Sequence, residues 1–204
     1  MSGITNQSCK MCRREGVSVC GRSSCAVKRR PTPPGVHGPK GFGKPTGYGL
    51  QLREKQKVKR TYGLRERQFH NYYVEAIAKK GDTGQILSTM LETRLDAMLV
   101  RAGFGRTHAQ ARQFVGHGLV MVDGKKVDIP SYRVRPGQVV AFKRRGGELP
   151  KGVKIVLESM GKANPPEWLA VKNAEASIAV VRLPKKEELP IEFNMRSIVE
   201  FYSR

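Results

Sequence analysis

The sequence lacks any apolar run of about 18 residues, the length that a membrane-spanning helix requires. Its first six residues also lack the basic and apolar segments of a secretory signal. Outside residues 9–25 the chain has no cysteine. We therefore expect a cytoplasmic protein with no membrane partner, whose thiols stay reduced unless they bind a metal.

Acidic residues are scarce as well. The chain has 38 lysines and arginines against 17 aspartates and glutamates, which gives a net charge of +21. Residues 1–60 hold 14 basic and 2 acidic residues, residues 61–146 hold 15 and 7, and residues 147–204 hold 9 and 8. This excess disfavours an enzyme with a small-molecule substrate and favours a polyanionic partner. We expect nucleic acid to contact the first two-thirds of the chain, and the last third to supply core or a protein–protein surface.

All four cysteines lie close together, in the pattern C-x2-C-x7-C-x4-C. The short spacers let each pair of thiolates bind one ion, and the longer spacer brings the two pairs together. We predict one structural Zn²⁺ that would also stabilise this small basic segment, held by Cys9, Cys12, Cys20 and Cys25. The alternatives are two disulfides, an iron–sulfur cluster or four unmodified thiols, and His37 could replace one cysteine as a ligand.

Residues 31–49 contain five prolines and six glycines, so they predict an extended chain without a core of its own. Lys40 and Lys44 give this stretch a charge suited to lying along RNA. Two helices are predicted next, over residues 50–62 and 65–81, and the second carries aromatic residues at core spacing.

The stretch from Leu91 to Phe142 is the most strongly patterned part of the chain. Its first apolar residues recur at i, i+4, i+7 and i+8, which predicts a helix with one buried stripe. Thr107 and Gln110 have the spacing of a capping box and predict a second helix. Short apolar runs then predict three strands, and the first two are joined by a hairpin turn at Asp123-Gly124.

Cationic residues are frequent on the polar side of this stretch, as they are in the N-terminal segment. Guanidinium groups beside a helix N-terminus suit phosphate, because backbone N–H groups and the helix dipole add to their charge. A solvated basic face without a ligand is the alternative. The candidate RNA-binding residues are Arg13, Arg14, Arg22, Lys28, Arg29, Arg30, Lys40, Lys44, Arg53, Lys57, Arg94, Arg101, Arg106, His108, Arg112, His117, Lys125 and Lys126.

Several segments resemble the RNA-binding module of bacterial small-subunit ribosomal protein S-four. They are residues 91–96 (LETRLD), 109–113 (AQARQ), 117–118 (HG), 122–125 (VDGK) and 129–132 (IPSY). The remainder resembles the zinc-binding form of the same family in the cysteine cluster and in residues 29–31 (RRP), 33–38 (PPGVHG), 62–64 (YGL), 182–184 (RLP) and 198–204 (IVEFYSR). The chain is therefore identified, by resemblance, as a member of the universal S-four family.

The resemblance implies an α+β fold, in which a mainly helical domain carries an inserted RNA-binding module of two helices and a small sheet, preceded by a zinc-bound N-terminal arm. The predicted divisions are residues 1–49 for the arm and its Pro/Gly-rich extension, 50–90 for the helical part of the body domain, 91–145 for the module and 146–204 for the C-terminal part of the body domain.

The resemblance also implies a function and partners. It implies a structural constituent of the small ribosomal subunit, located in the cytoplasm, that binds the 5′ domain of the rRNA and nucleates assembly of the body. Its implied neighbours are ribosomal proteins S-five and S-three and the mRNA where it enters the ribosome, with an effect on translational accuracy. Repression of its own operon is a further family property that the sequence does not decide.

An RNA-modifying enzyme is the main alternative, because Arg94-Leu95-Asp96 matches the tripeptide that carries the catalytic aspartate of pseudouridine synthases. Leu99 and Arg101 stand where that family has Thr and Gly, and no second domain of catalytic size is present. A small RNA-binding chaperone of stalled ribosomes would lack the cysteine arm. We therefore expect no enzymatic activity and no small-molecule substrate.

Overall fold

The computed structural model describes residues 8–40, 46–144, 146–160, 165–189 and 193–204. These residues form two compact units, a helical unit from Met1–Ser88 and Pro190–Arg204 and a sheet unit from Thr89–Leu189. Helices and one antiparallel sheet are both present, so the predicted α+β class is confirmed. Within the described ranges no helix has the length and apolar character needed to cross a bilayer.

The described elements follow one another along the chain. They are α1 (Cys9–Glu15), α2 (Ala26–Arg29), a 3-10 turn (Gly38–Lys40), α3 (Gly47–Thr61), α4 (Glu66–Ile77), α5 (Thr83–Glu92), α6 (Leu95–Arg101), α7 (His108–Gly116), β1 (Val120–Val122), β2 (Lys125–Lys126), β3 (Val139–Phe142), α8 (Lys151–Met160), β4 (Leu169–Lys172), β5 (Ser177–Val180), a 3-10 turn (Lys186–Glu188) and α9 (Met195–Tyr202).

The helical unit is held together where the C-terminal helix α9 packs against α3. The carboxylate of Glu66, at the start of α4, accepts hydrogen bonds of 2.7 Å from Lys55, Lys59 and the Tyr202 hydroxyl. The Lys55 ammonium also lies 4.6 Å from the centre of the Phe201 ring, a cation–π contact. One carboxylate therefore joins α3, α4 and α9.

This carboxylate makes the stability of the helical unit depend on pH. Partial burial raises the pKa of Glu66, but the hydrogen bonds from Lys55, Lys59 and Tyr202 outweigh it and lower the pKa from 4.5 to about 2. Because the folded-state pKa is depressed, the stabilisation is complete above pH 4.5 and is lost as the pH falls towards 2. Glu66→Gln should therefore destabilise the protein by about 1 kcal/mol at pH 7, a value that allows for solvent screening of a half-exposed group, and should have little effect near pH 2.

Urea unfolding of the two proteins between pH 2 and 7 measures this difference. Glu75→Gln is the matched control, because Glu75 lies on the same helix and pairs with the exposed Lys79 at i,i+4. If the difference in free energy of unfolding between Glu66→Gln and the wild type did not shrink at acid pH, the stabilising role of the ionised Glu66 would be contradicted.

The sheet unit contains five antiparallel strands in the order β2-β1-β3-β5-β4. One face of the sheet is buried, because alternate residues such as Val140, Phe142 and Ile178 point to the same side. Helices α6 and α7 pack against each other and contribute Leu95, Met98 and Phe114 to the same core. Trp168 is also buried there.

Local signals of the sequence are reproduced in the sheet unit. The Thr107 hydroxyl accepts the Gln110 N–H at 3.2 Å and caps α7. The turn between β1 and β2 has positive φ angles at Asp123 and Gly124, as the twist of a two-residue hairpin requires. The predicted third strand, residues 139–142, coincides with β3.

The predicted helix beginning at Leu91 is wrong in one respect. Helix α5 ends at Glu92, and α6 begins only at Leu95. Between them Arg94 forms an isolated antiparallel bridge with Arg133, and the Leu95 N–H donates to the Tyr132 carbonyl at 2.8 Å. A distant segment thus takes the backbone groups that a continuous helix would have paired internally.

Residues 146–204 also differ from their predicted grouping with the helical body. In the structure β4 and β5 pair with each other, and β5 pairs with β3, so this part of the chain extends the sheet. Only the segment containing α9 belongs to the helical unit. The reason is that strand pairing satisfies the exposed edge of β3, which a three-stranded sheet would leave unpaired.

Candidate metal centre and RNA-binding surfaces

The four cysteines form the core of the N-terminal arm. Cys9 and Cys12 lie one turn apart on α1, Cys25 caps α2, and Cys20 lies in the loop between the helices. The sulfur atoms of Cys9, Cys20 and Cys25 lie within 4.8 Å of one another. The fourth thiol, Cys12, is fully buried in the same small core as Cys20 and Cys25. All four cysteines are free thiols. Three of them are close enough to hold one metal ion.

The thiols do not have equal acidity. Burial, and donation by the Cys12 thiol toward the sulfur atoms of Cys20 and Cys25, raise the pKa of Cys12 to about 12. Burial also raises the pKa of Cys25, but hydrogen bonds from Ser18, the Val27 backbone and the neighbouring thiols outweigh it and lower the pKa to about 7. One thiolate is thus available near neutral pH, and a bound cation would favour deprotonation of the others. Sulfur atoms about 3.8 Å apart surround a tetrahedral zinc with bonds of about 2.3 Å, and the observed grouping fits that donor set.

The arm is rich in exposed basic residues. Residues 8–40 contain eight basic residues and one acidic residue, Glu15, whose side chain is fully buried. Glu15 pairs with Arg53 and Arg60 of α3, so it fixes the arm to the helix and does not neutralise the surface. Seven of the eight basic residues are exposed, namely Lys10, Arg14, Arg22, Lys28, Arg29, Arg30 and Lys40. The sequence places Lys10 beside Cys9, among the basic residues that surround the cysteine cluster and could reach phosphate.

Three predicted RNA-binding residues of the helical unit have internal partners. Arg13 donates hydrogen bonds to Thr32 and Pro33. Arg53 pairs with Glu15, and Lys57 pairs with Glu54. These cations position the arm and α3. A fourth predicted residue, Lys44, lies outside the described residues.

In the sheet unit the structure changes the role of two predicted RNA contacts. Arg94 is buried, and its guanidinium donates two hydrogen bonds, of 2.9 and 2.7 Å, to the Asp96 carboxylate. Arg112 donates to the same carboxylate, also at 2.7 Å. Burial alone would raise the pKa of Asp96, but Arg94 and Arg112 outweigh it and hold the pKa below its ordinary value. Arg94 is therefore not on the surface, and a direct contact between Arg94 and RNA does not fit the structure.

The remaining candidates of the sheet unit differ in exposure. Arg101 is exposed and forms a two-point ion pair with the buried Glu92. His108 is half-buried at the start of α7, and burial lowers its pKa, so the imidazole is neutral at pH 7. Among the predicted RNA-binding residues of the sheet unit, the exposed ones are Arg101, Arg106, His117, Lys125 and Lys126. Of these, Lys125 and Lys126 form strand β2 at one edge of the sheet.

Comparison with known proteins defines the class. A family model described as ribosomal protein S4/S9 N-terminal domain matches residues 4–92, and one described as S4 domain matches residues 93–140. The chain is 46% identical to small ribosomal subunit protein uS4 of Thermodesulfovibrio yellowstonii, over 100% of both chains. It is 45% identical to the protein of the same name from Thermus thermophilus, over 96% of both, and 45% identical to that of Lactococcus lactis, over 100% of this chain and 99% of the relative.

The chain therefore belongs to the uS4 family of small ribosomal subunit proteins. Membership supports a structural role in the ribosome and binding to rRNA and ribosomal proteins. It confirms two sequence-based expectations, that the protein is not an enzyme and that it is located in the cytoplasm as part of the ribosome.

Proposed function

We propose that this protein is a primary binder of the 5′ domain of small-subunit rRNA and that it nucleates assembly of the subunit body. The observation that carries the proposal is the surface of the arm, where seven cations are exposed and the one carboxylate is turned inward. Such a surface binds phosphates and releases their counterions, so the affinity should fall steeply with salt. The sheet unit has exposed cations of its own, and these support contact at more than one site of a folded RNA. They are Arg101, Arg106, Lys125 and Lys126.

We propose further that one Zn²⁺ is bound by all four cysteines. Cys9, Cys20 and Cys25 would supply three thiolates within reach of one ion, and Cys12, buried in the same cluster, would supply the fourth. The ion would have a structural role only, since four protein ligands leave no open position for a substrate. Its effect would be to hold α1 and α2 together, and with them the exposed cations of the arm.

The proposed neighbours follow from the family resemblance. They are ribosomal proteins S-five and S-three and the mRNA near its point of entrance, where the protein would contribute to translational accuracy. The C-terminal third has a net charge near zero, with 9 basic and 8 acidic residues, and is the part of the chain suited to a protein partner.

The test is binding of the full-length protein to a transcript of the 5′ domain, measured by filter binding across a range of salt concentrations. We expect tight binding and a steep decrease in affinity with salt, and much weaker binding to a transcript of another rRNA domain of equal length. Equal affinity for the two transcripts would contradict the proposed site on the rRNA.

Lys125 offers a test of the sheet unit. Lys125→Gln should weaken binding by about 3-fold to 10-fold and reduce the salt slope by about one, because one phosphate contact is removed. The matched control is Lys172→Gln on β4, at the opposite edge of the same sheet, which removes the same charge. Equal effects of the two substitutions would indicate that only net charge matters and that β2 does not contact the RNA.

A further inference from the structure

The segment that follows α2 forms a turn with a tightly fixed backbone. Pro33 and Pro34 restrict φ, and the Gly38 N–H donates to the Gly35 carbonyl at 3.1 Å. The close approach of the chain to itself requires glycine at position 38, because a Cβ there would lie 1.9 Å from the Pro33 carbonyl oxygen. Gly35 has a φ of 108°, which also favours glycine. The turn, defined here as residues 33–38, therefore has little freedom to adopt another shape.

A single arginine fixes this turn to the metal-binding arm. The Arg13 guanidinium donates to the Thr32 carbonyl at 2.9 Å, to the Thr32 hydroxyl at 3.3 Å and to the Pro33 carbonyl at 3.0 Å. A planar fork of donors suits this grouping of acceptors better than an ammonium group would. Arg13 follows Cys12 directly on α1, so the cysteine cluster and the turn are connected through one side chain.

The apex of the turn presents an apolar side chain to solvent. Val36 is 91% exposed, the highest value among the exposed large hydrophobic residues of the described chain, and His37 beside it is exposed as well. The surrounding sequence is cationic, with Arg29, Arg30 and Lys40 exposed and no acidic residue between positions 16 and 40. The partner of such a surface should be polyanionic and should also offer an apolar surface.

RNA has both properties in its shallow groove. That groove is wide enough to admit a small protrusion, and it displays riboses and base edges between two rows of phosphates. We propose that Val36 inserts into the shallow groove of the rRNA, where it packs against riboses, while the cations around it bind the flanking phosphates. Arg13 acts as the positioning residue of this wedge. The inference rests on the proposed function and adds to it the residue that contacts the nucleosides.

The experiment compares wild type, Val36→Ala and Val74→Ala in binding to the 5′-domain transcript. Val36→Ala should weaken binding by about 5-fold to 10-fold through lost apolar contact, with an unchanged salt slope because no charge is altered. It should also remove hydroxyl-radical protection of the riboses in one short stretch of the RNA. Val74, on α4, is 51% exposed, so Val74→Ala is a matched control and should bind like the wild type.

Arg13→Lys keeps the charge but loses the fork of donors, and it should weaken binding and expose the same riboses as Val36→Ala. If Val36→Ala binds like the control or leaves the footprint unchanged, the wedge is refuted while the proposed function stands. If Arg13→Lys keeps the wild-type affinity and footprint, its positioning role is refuted. Failure of the wild type to bind the transcript would refute both the wedge and the proposed function.

Discussion

Replacing Cys20 by serine should abolish metal binding and weaken binding to the 5′-domain transcript by about 10-fold to 100-fold. The core of the arm consists of the four cysteines and a few apolar residues such as Val19, so it is too small to fold without a further source of free energy. A structural zinc contributes about 10–16 kcal/mol in small peptides, and loss of one thiolate removes most of it. Without the ion the exposed cations of the arm would lose their fixed arrangement, although their charge would remain.

The zinc content of Cys12→Ser tests whether the site has four cysteine ligands or three. Cys12 lies outside the group of three sulfur atoms that are mutually within 4.8 Å. If it is the fourth ligand, Cys12→Ser and Cys20→Ser should lower the zinc content equally, as measured by native mass spectrometry. Zinc retained in Cys12→Ser would mean a three-cysteine site. Ser23→Ala, an exposed position in the loop between Cys20 and Cys25, is the control for a local change that removes no ligand.

Thiol reactivity distinguishes zinc from the alternatives. In the zinc-bound protein the thiols should react with a disulfide reagent only after a chelator is added. Two disulfides would leave no reactive thiol until a reductant is added, and an iron–sulfur cluster would give visible absorption. Four thiols that react at once, with no metal in the purified protein, would contradict the proposed site.

Features set by neighbouring residues could be predicted from the sequence. The cap at Thr107 needs only Gln110 three residues later, and the hairpin at Asp123-Gly124 needs only two residues that tolerate positive φ. In each case the signal and the structure it specifies lie within a few residues.

Features that depend on distant residues could not be predicted from the sequence. The helix break at Arg94 depends on pairing with Arg133, about 40 positions away, and nothing near Leu91 indicates it. The pairing of β5 with β3 is equally remote in sequence, which explains why residues 146–204 were grouped with the helical body.

Charge alone also gave an incomplete account of the arginines. From the sequence Arg94, Arg101 and Arg112 all predict RNA contacts, because a basic residue on a helix reads as a surface residue. The structure shows that each has a carboxylate partner, either Asp96 or Glu92, and that Arg94 is buried. Only knowledge of which acids lie beside which bases separates a structural arginine from one available to a phosphate.

Substitution of Asp96 by alanine should be the most destabilising single change in the sheet unit. The carboxylate is buried and accepts hydrogen bonds from both Arg94 and Arg112. Its removal takes the Asp96 carboxylate away from the Arg94 guanidinium, which is only 3% exposed. Breaking one side of a buried ion pair costs about 3–5 kcal/mol, because desolvation of the remaining charge is no longer offset. Urea unfolding monitored at Trp168, which lies in the core of this unit, measures the loss.

Two further variants test whether loss of the buried ion pairs causes the destabilisation of Asp96→Ala. Arg112→Ala should cost less, about 1–2 kcal/mol, because its side chain is 14% exposed and Asp96 keeps its pair with Arg94. Asp128→Ala is the matched control, since it is the same substitution at a carboxylate that is 59% exposed, and it should change the stability by no more than about 0.5 kcal/mol.

The decisive variant combines Asp96→Ala with Arg94→Met. If the buried Arg94 guanidinium causes the destabilisation once Asp96 is lost, removing it should make the double variant more stable than Asp96→Ala alone, a strongly non-additive result. Simple addition of the two costs would instead mean that Asp96 acts through the packing and capping of α6, whose Ala97 N–H also donates to the carboxylate at 3.0 Å. In either case Asp96 supports the helices that carry the exposed cations, which is a structural use for the aspartate that the sequence also presented as a candidate catalytic residue.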